Sequence, residues 1–157
     1  MIKITRTLMN GLAEKAGASP RKRQNYNFHE YLADTLQRML NMMDPATYTR
    51  PHKHEAPDKR EAFIVMTGKA LVVQFDDNGG VTDYAVISPA GEVRGIEMPA
   101  RVWHTLIALE KNTCIYEVKD GPYDPATDKK FAPWSPAEDD PAREEYKAEI
   151  LRRVGLV

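Results

Sequence analysis

The sequence predicts a mainly β protein, an antiparallel sandwich or barrel with one helix at each end. Two observations carry this. Between Thr47 and Lys119, short runs of β-branched and aromatic residues are separated by turn clusters, with no helical periodicity among them. On either side of this stretch, apolar residues recur at helical spacing. At 157 residues the chain is long enough for a single core but not two. The expected division is one domain over 1–157: an N-terminal extension over 1–29, a barrel over about 36–119, and an arm with a closing helix over 120–157.

Taken in order, residues 5–16 form the first helix. Thr5 or Thr7 caps it, Leu8, Leu12 and Ala16 share a face, and Gly17 stands at the C′ position. A polar loop is expected over 18–29. A short helical segment over Glu30–Leu36 then gives way to a strand over Gln37–Met43. Further strands are read at Thr47–Arg50, Ala62–Met66, Ala70–Phe75, Val81–Ile87, Val93–Met98, Thr105–Leu109 and Thr113–Lys119. Gly68, the run Asp76-Asp-Asn-Gly-Gly and the run Ser88-Pro-Ala-Gly mark turns between them. The acidic, proline-rich arm over 120–140 buries Tyr123, Phe131 and Trp134. Asp140-Pro141 then opens a helix that runs to about Val154, stops at Gly155, and aligns Tyr146, Ile150 and Val154.

Composition removes several classes of function. Hydrophobic residues at 42% and charged residues at 29% describe a folded globular chain rather than a disordered one. A net charge of −1 lacks the basic surplus that phosphate neutralisation requires, which argues against a nucleic-acid partner. No run of 18 apolar residues exists to span a membrane, and Met1–Leu8 has no apolar secretory core. A cytoplasmic location is the resulting expectation. The one cysteine, Cys114, excludes an internal disulfide and a cysteine-based zinc cluster.

Three of the four histidines fall into a pattern. His52-Lys53-His54 places two imidazoles on the same face of an extended segment. Glu61 begins the next strand, so an antiparallel return carries it back opposite them. His104 heads another strand and closes the set. Three imidazoles and a carboxylate suit one divalent transition-metal ion, with zinc, iron, nickel and manganese all compatible, and leave positions open for water or substrate.

The spacing around these residues resembles the two cupin motifs: H-x-H, then E-x6-G from Glu61 to Gly68, then P-x-G-x-x-H from Pro99 to His104. Arg101 stands where the second motif has glycine, and Ala108 where it has asparagine. The gap between His54 and Glu61 is also longer than most cupins use. More specifically, Arg38, Asn41, Tyr48, Pro51–His54, Glu117–Tyr123 and Phe131–Glu138 resemble the WbuC family of cupin-fold metalloproteins. The likeness runs from about Asn25 to Glu138. It implies a cupin-type double-stranded β-helix, or jelly-roll barrel, with a metal in its mouth, often dimeric. It also implies an association with bacterial surface-polysaccharide biosynthesis.

Other residues are candidates for handling substrate. Arg38 and Arg50 can bind a carboxylate or phosphate through their planar forks. Tyr48 lies four residues before His52 and shares its face if the strand is regular. Glu117 shares parity with Ile115 and Lys119 and can act as a general acid or base. His29 is a weaker candidate at the barrel mouth. Trp103 and Cys114 are expected to pack in the core, as are Met39, Met42 and Met43.

The leading functional expectation is metal-assisted isomerisation or epimerisation of a small polar substrate, such as a carbohydrate or sugar nucleotide. His52, His54, Glu61 and His104 serve as ligands there, and Tyr48, Arg38 and Glu117 as catalytic or positioning groups. The alternatives are an Fe(II)-dependent dioxygenase and a non-enzymatic metal- or sugar-binding module. A homodimer is the expected assembly.

Overall fold

Two five-stranded antiparallel sheets face each other in the computed structural model, which describes residues 1–157. The elements are α1 (Arg6–Ala18), β1 (Arg23–Asn27), β2 (Leu36–Met43), β3 (His52–Lys53), β4 (Glu61–Thr67) and β5 (Ala70–Phe75). They continue with β6 (Val81–Ile87), β7 (Gly95–Met98), β8 (Trp103–Ala108), β9 (Thr113–Asp120), β10 (Lys130–Phe131) and α2 (Arg143–Arg153). One sheet has the order β1-β2-β9-β4-β7, the other β10-β3-β8-β5-β6.

The alternation of side chains along each strand sorts the apolar residues into three layers. Between the sheets lie Met43, Phe63, Val65, Val72, Leu106, Ile115 and their neighbours. The outer face of the β8 sheet carries Leu71, Val73, Phe75, Trp103 and Ile107, which Ala132 of the arm and Ile150 and Val154 of α2 cover. The outer face of the β2 sheet carries Leu40, Met42 and Cys114, covered by Leu12 and Ala16 of α1. Each fully buried leucine in such a layer contributes about 1.5–3 kcal/mol. Because both faces of β8 are covered, all six of its residues are buried. Trp103 and Cys114 pack as expected.

Several local expectations are corrected. The first helix runs past Gly17 to Ala18, and the Ser19 N–H, rather than a C′ glycine, closes its last turn by donating to Lys15 O and Ala16 O. At its start, Thr5 Oγ1 accepts from Leu8 N at 3.1 Å, so Thr5 is the cap. The polar loop contains a strand: Arg23–Asn27 pairs antiparallel with Met39–Met43. Its polarity suits a sheet edge, where charged side chains discourage further pairing. The segment after His29 is irregular rather than helical.

The strand expected over Thr47–Arg50 is absent. Thr47 instead closes a turn, its Oγ1 accepting from Asp44 N and donating to Lys22 O. The arm contributes the two-residue strand β10, which pairs with β3. The closing helix starts at Arg143, while Asp140 Oδ1 accepts from Ala142 N one turn earlier.

Candidate metal centre

The apolar filling between the sheets stops short of one end, where the inward positions carry polar side chains instead. His52 pairs directly with His104 across β3 and β8. Glu61 opens β4 opposite Lys119 of β9. His54 lies one residue beyond β3 and is held there partly by the Arg101 N–H, which donates to its carbonyl at 2.9 Å. One ligand atom from each of His52, His54, Glu61 and His104 lies within 4.8 Å of the others, and all four residues are buried. The distant pieces of the sequence pattern therefore meet.

Hydrogen bonding sets the chemistry of the rings. Each Nδ1 faces a backbone carbonyl: His52 that of Arg50 at 2.9 Å, His104 that of Val102 at 2.9 Å, and His54 that of Asp128. A carbonyl only accepts, so each Nδ1 carries the proton and each Nε2 presents a lone pair. His104 Nε2 lies 2.9 Å from one Glu61 oxygen and His54 Nε2 3.2 Å from the other. These contacts lack hydrogen-bond geometry, and both Nε2 atoms are buried without a donor.

Acceptors facing acceptors at this separation repel unless a cation sits among them. The donor set therefore fits a divalent first-row ion bound by three neutral imidazoles and a carboxylate. Burial, with the charge of Lys129, holds His52 well below the usual imidazole range and so keeps it neutral. Burial works against the Glu61 carboxylate; protonated His104 and His54 rings would offset it, and with the rings neutral a cation among them takes that part.

The turn after β4 depends on Gly68. Its φ is +76°, and a Cβ there would come within 2.8 Å of Thr113 Cα. Only glycine suits such a position. Arg101, by contrast, adopts φ +68° with a full side chain at the place where the cupin pattern has glycine.

Three of the four clustered residues, His52, Glu61 and His104, line a cavity of about 610 Å³ whose walls are mostly polar. Glu117 reaches it from β9 and accepts a hydrogen bond from Asn41 Nδ2 at 3.2 Å. Burial and the charge of Glu61 raise its carboxyl above the ordinary range. Arg50 and His29 also line the cavity.

Arg38 and Tyr48 do not. Arg38 shares parity with Leu40 and Met42, which face α1, and it donates to Phe28 O at 3.3 Å. Tyr48 precedes any regular strand and donates its hydroxyl to Pro136 O at 3.0 Å. Burial pushes that phenol above its usual range.

One cluster escapes sequence reasoning. The Asp128 carboxylate accepts from Lys59 at 2.8 Å and from Lys119 at 2.7 Å, all three being buried. Lys119 also stands 3.9 Å from Glu61. Burial alone would lower the Lys119 ammonium, but Glu61, Glu117 and Asp128 raise it, so it stays charged. The available signal was the shared parity of Lys119 with Glu117; nothing local marked Asp128.

Comparison with known proteins fits this geometry. The family described as a domain of unknown function, DUF6016, matches residues 4–87, more than half of the chain. No curated protein sequence matches. Among solved structures, KdgF from Halomonas sp. superposes with a TM-score of 0.52 at 18% identity, over 69% of this chain and 84% of that one. CapF, the capsular polysaccharide assembling protein of Staphylococcus aureus, gives 0.59 at 20%, over 72% of this chain but only 32% of that one. The L-ribose isomerase of Cellulomonas parahominis gives 0.57 at 14%, over 70% and 69%. The shared architecture is the cupin-type β-barrel.

Proposed function

The chain belongs to the DUF6016 family, and from that premise we propose a metal-dependent cupin that isomerises or epimerises a small, oxygen-rich substrate. The observation that carries the reading is the set of imidazole lone pairs turned towards an ionised carboxylate in the wall of a polar cavity. A divalent ion held by His52, His54, Glu61 and His104 supplies Lewis acidity towards a substrate oxygen.

The remaining work falls to this chain's own residues. Glu117 takes and returns the proton on substrate carbon. Its raised pKa brings it closer to neutrality, where an acid–base group is most effective. Asn41 orients that carboxyl, and the Lys119 ammonium offsets negative charge developing in the substrate. Arg38 and Tyr48 act at a distance, fixing β2 and the arm around the cavity.

A carbohydrate or sugar nucleotide is the proposed substrate. The sugar-related names of the CapF and L-ribose isomerase neighbours support that class. On the WbuC resemblance, the proposal extends to surface-polysaccharide biosynthesis by a cytoplasmic homodimer.

The test is deuterium incorporation. Metal-loaded protein in D2O is incubated with panels of aldoses, ketoses and nucleotide sugars, and exchange at carbon is followed by NMR. Glu117→Gln is expected to slow exchange by about 10²-fold or more while retaining the ion. Substrate-dependent oxygen consumption without exchange would overturn the isomerase reading in favour of dioxygenation.

A further inference from the structure

The cations around the cavity are unevenly paired. Arg21 and Arg23 share Glu138, and Lys119 shares Asp128 with Lys59. Arg50 and Lys129 also line the cavity, yet neither forms an ion pair. Lys130, the next residue along, faces the other side of β10 and is bound to Glu55. Lys129, just before β10, thus lines the cavity unpaired, while Lys130, the first residue of β10, is paired away from it.

Arg50 is held in place without being neutralised. Its Nε donates to Ser135 Oγ and one Nη to Ala132 O, both at 3.1 Å, and its guanidinium lies 5.2 Å from the centre of the Phe131 ring. The other Nη is left for a ligand. Three of the four cavity carboxylates are already committed, Glu61 to the metal cluster and Asp128 and Glu138 to the cations above; Glu117, hydrogen-bonded to Asn41, is one carboxylate against two unpaired cations. The cavity is therefore built to receive negative charge. A second observation concerns the neutral part of the ligand: Asn41 Oδ1 is buried on the cavity wall without a donor, which suits a hydroxyl.

We propose that Arg50 and Lys129 form an anion subsite, so that the substrate is a polyhydroxylated molecule carrying a carboxylate or a phosphate rather than a neutral sugar. This rests on the metal-dependent reading of the same cavity. Planar guanidinium and ammonium together recognise either anion, since both present oxygens in the geometry a fork and a point charge satisfy.

The experiment titrates inorganic phosphate and, separately, acetate into metal-loaded full-length protein by calorimetry, with metal content measured in every sample. Lys129→Met is expected to weaken anion binding about tenfold or more, whereas Lys130→Met leaves it unchanged. Arg50→Lys, which retains charge but loses the fork, weakens it less than Lys129→Met. Tighter phosphate binding assigns a phosphorylated substrate; tighter acetate binding assigns a sugar acid.

Equal affinity in wild type and Lys129→Met, or no binding of either anion, overturns the subsite while a full metal content leaves the metal reading standing. Absence of metal with anion binding that still depends on Lys129 has the opposite meaning: the subsite stands and the metal reading falls.

Discussion

The backbone carbonyl of Asp128 accepts the Nδ1 proton of His54, while the carboxylate of the same residue binds both Lys59 and Lys119. One arm residue thus orients a ligand ring and compensates two buried ammonium groups. The candidate metal centre and the packing of the arm are one construction.

Asp128→Ala removes the carboxylate but keeps the carbonyl. Lys59 would then be buried without a counter-charge and Lys119 left with only Glu61 and Glu117, which is expected to cost about 3–5 kcal/mol in urea unfolding. Metal content of the folded protein is expected to persist, because the His54 acceptor is backbone. A variant as stable as wild type would show that the lysines find water or another partner.

His54→Ala is expected to lose its ion on dialysis while the far-ultraviolet circular dichroism spectrum stays that of a β protein. The inter-sheet core is made of apolar residues that do not include His54. Unchanged metal stoichiometry would count against the ligand assignment.

Metal-free protein should lose stability as the pH falls below about 6.5, the ordinary imidazole value. His52 is held neutral in the fold, chiefly by burial, so the unfolded chain binds a proton there that the folded chain does not. The loss continues until the pH reaches the lowered native value. Thermal melts of His52→Asn between pH 7 and 5 are expected to show a shallower slope than wild type; parallel slopes would assign the effect elsewhere.

Arg101 holds a left-handed backbone that glycine would take without steric cost. Arg101→Gly and Arg101→Ala both remove the bond to Asp58, so their difference isolates the backbone. Arg101→Gly is expected to be the more stable of the two by about 1 kcal/mol in denaturant unfolding. Equal stabilities would mean that the conformation costs nothing here.

The clustering of His52, His54, Glu61 and His104 was partly legible because the H-x-H pattern is local. H-x-H in extended chain puts two rings on one side; the carboxylate, expected by antiparallel return, arrives instead from the facing sheet, because β4 pairs with β7 and β9 rather than with β3. The direction Arg38 faces was not legible, for the opposite reason. An arginine interrupting an apolar run looks inward-facing, but β2 is covered on both sides, by α1 on one and by the cavity on the other. Parity then depends on a register that only β9 sets. Tyr48 does not share the face of His52 because the expected strand does not form: Thr47 closes a turn instead. Edge strand β1 was hidden by its own polarity, which in a central strand would have been disqualifying.

From its amino acids alone, this protein was committed to alternating apolar strands, a helix at each end, and the three histidines and one glutamate that suit a metal; that Glu61 meets them from the facing sheet was decided by the tertiary fold. Turn chemistry and side-chain parity act over a few residues, so they can be read along the chain. The partners of Lys119, Lys59 and His54, and the charge left unpaired on Lys129 and Arg50, were decided only when the arm folded back beside β3. Such contacts link positions up to dozens of residues apart, and the energy that selects them comes from burial, which no short stretch of sequence contains.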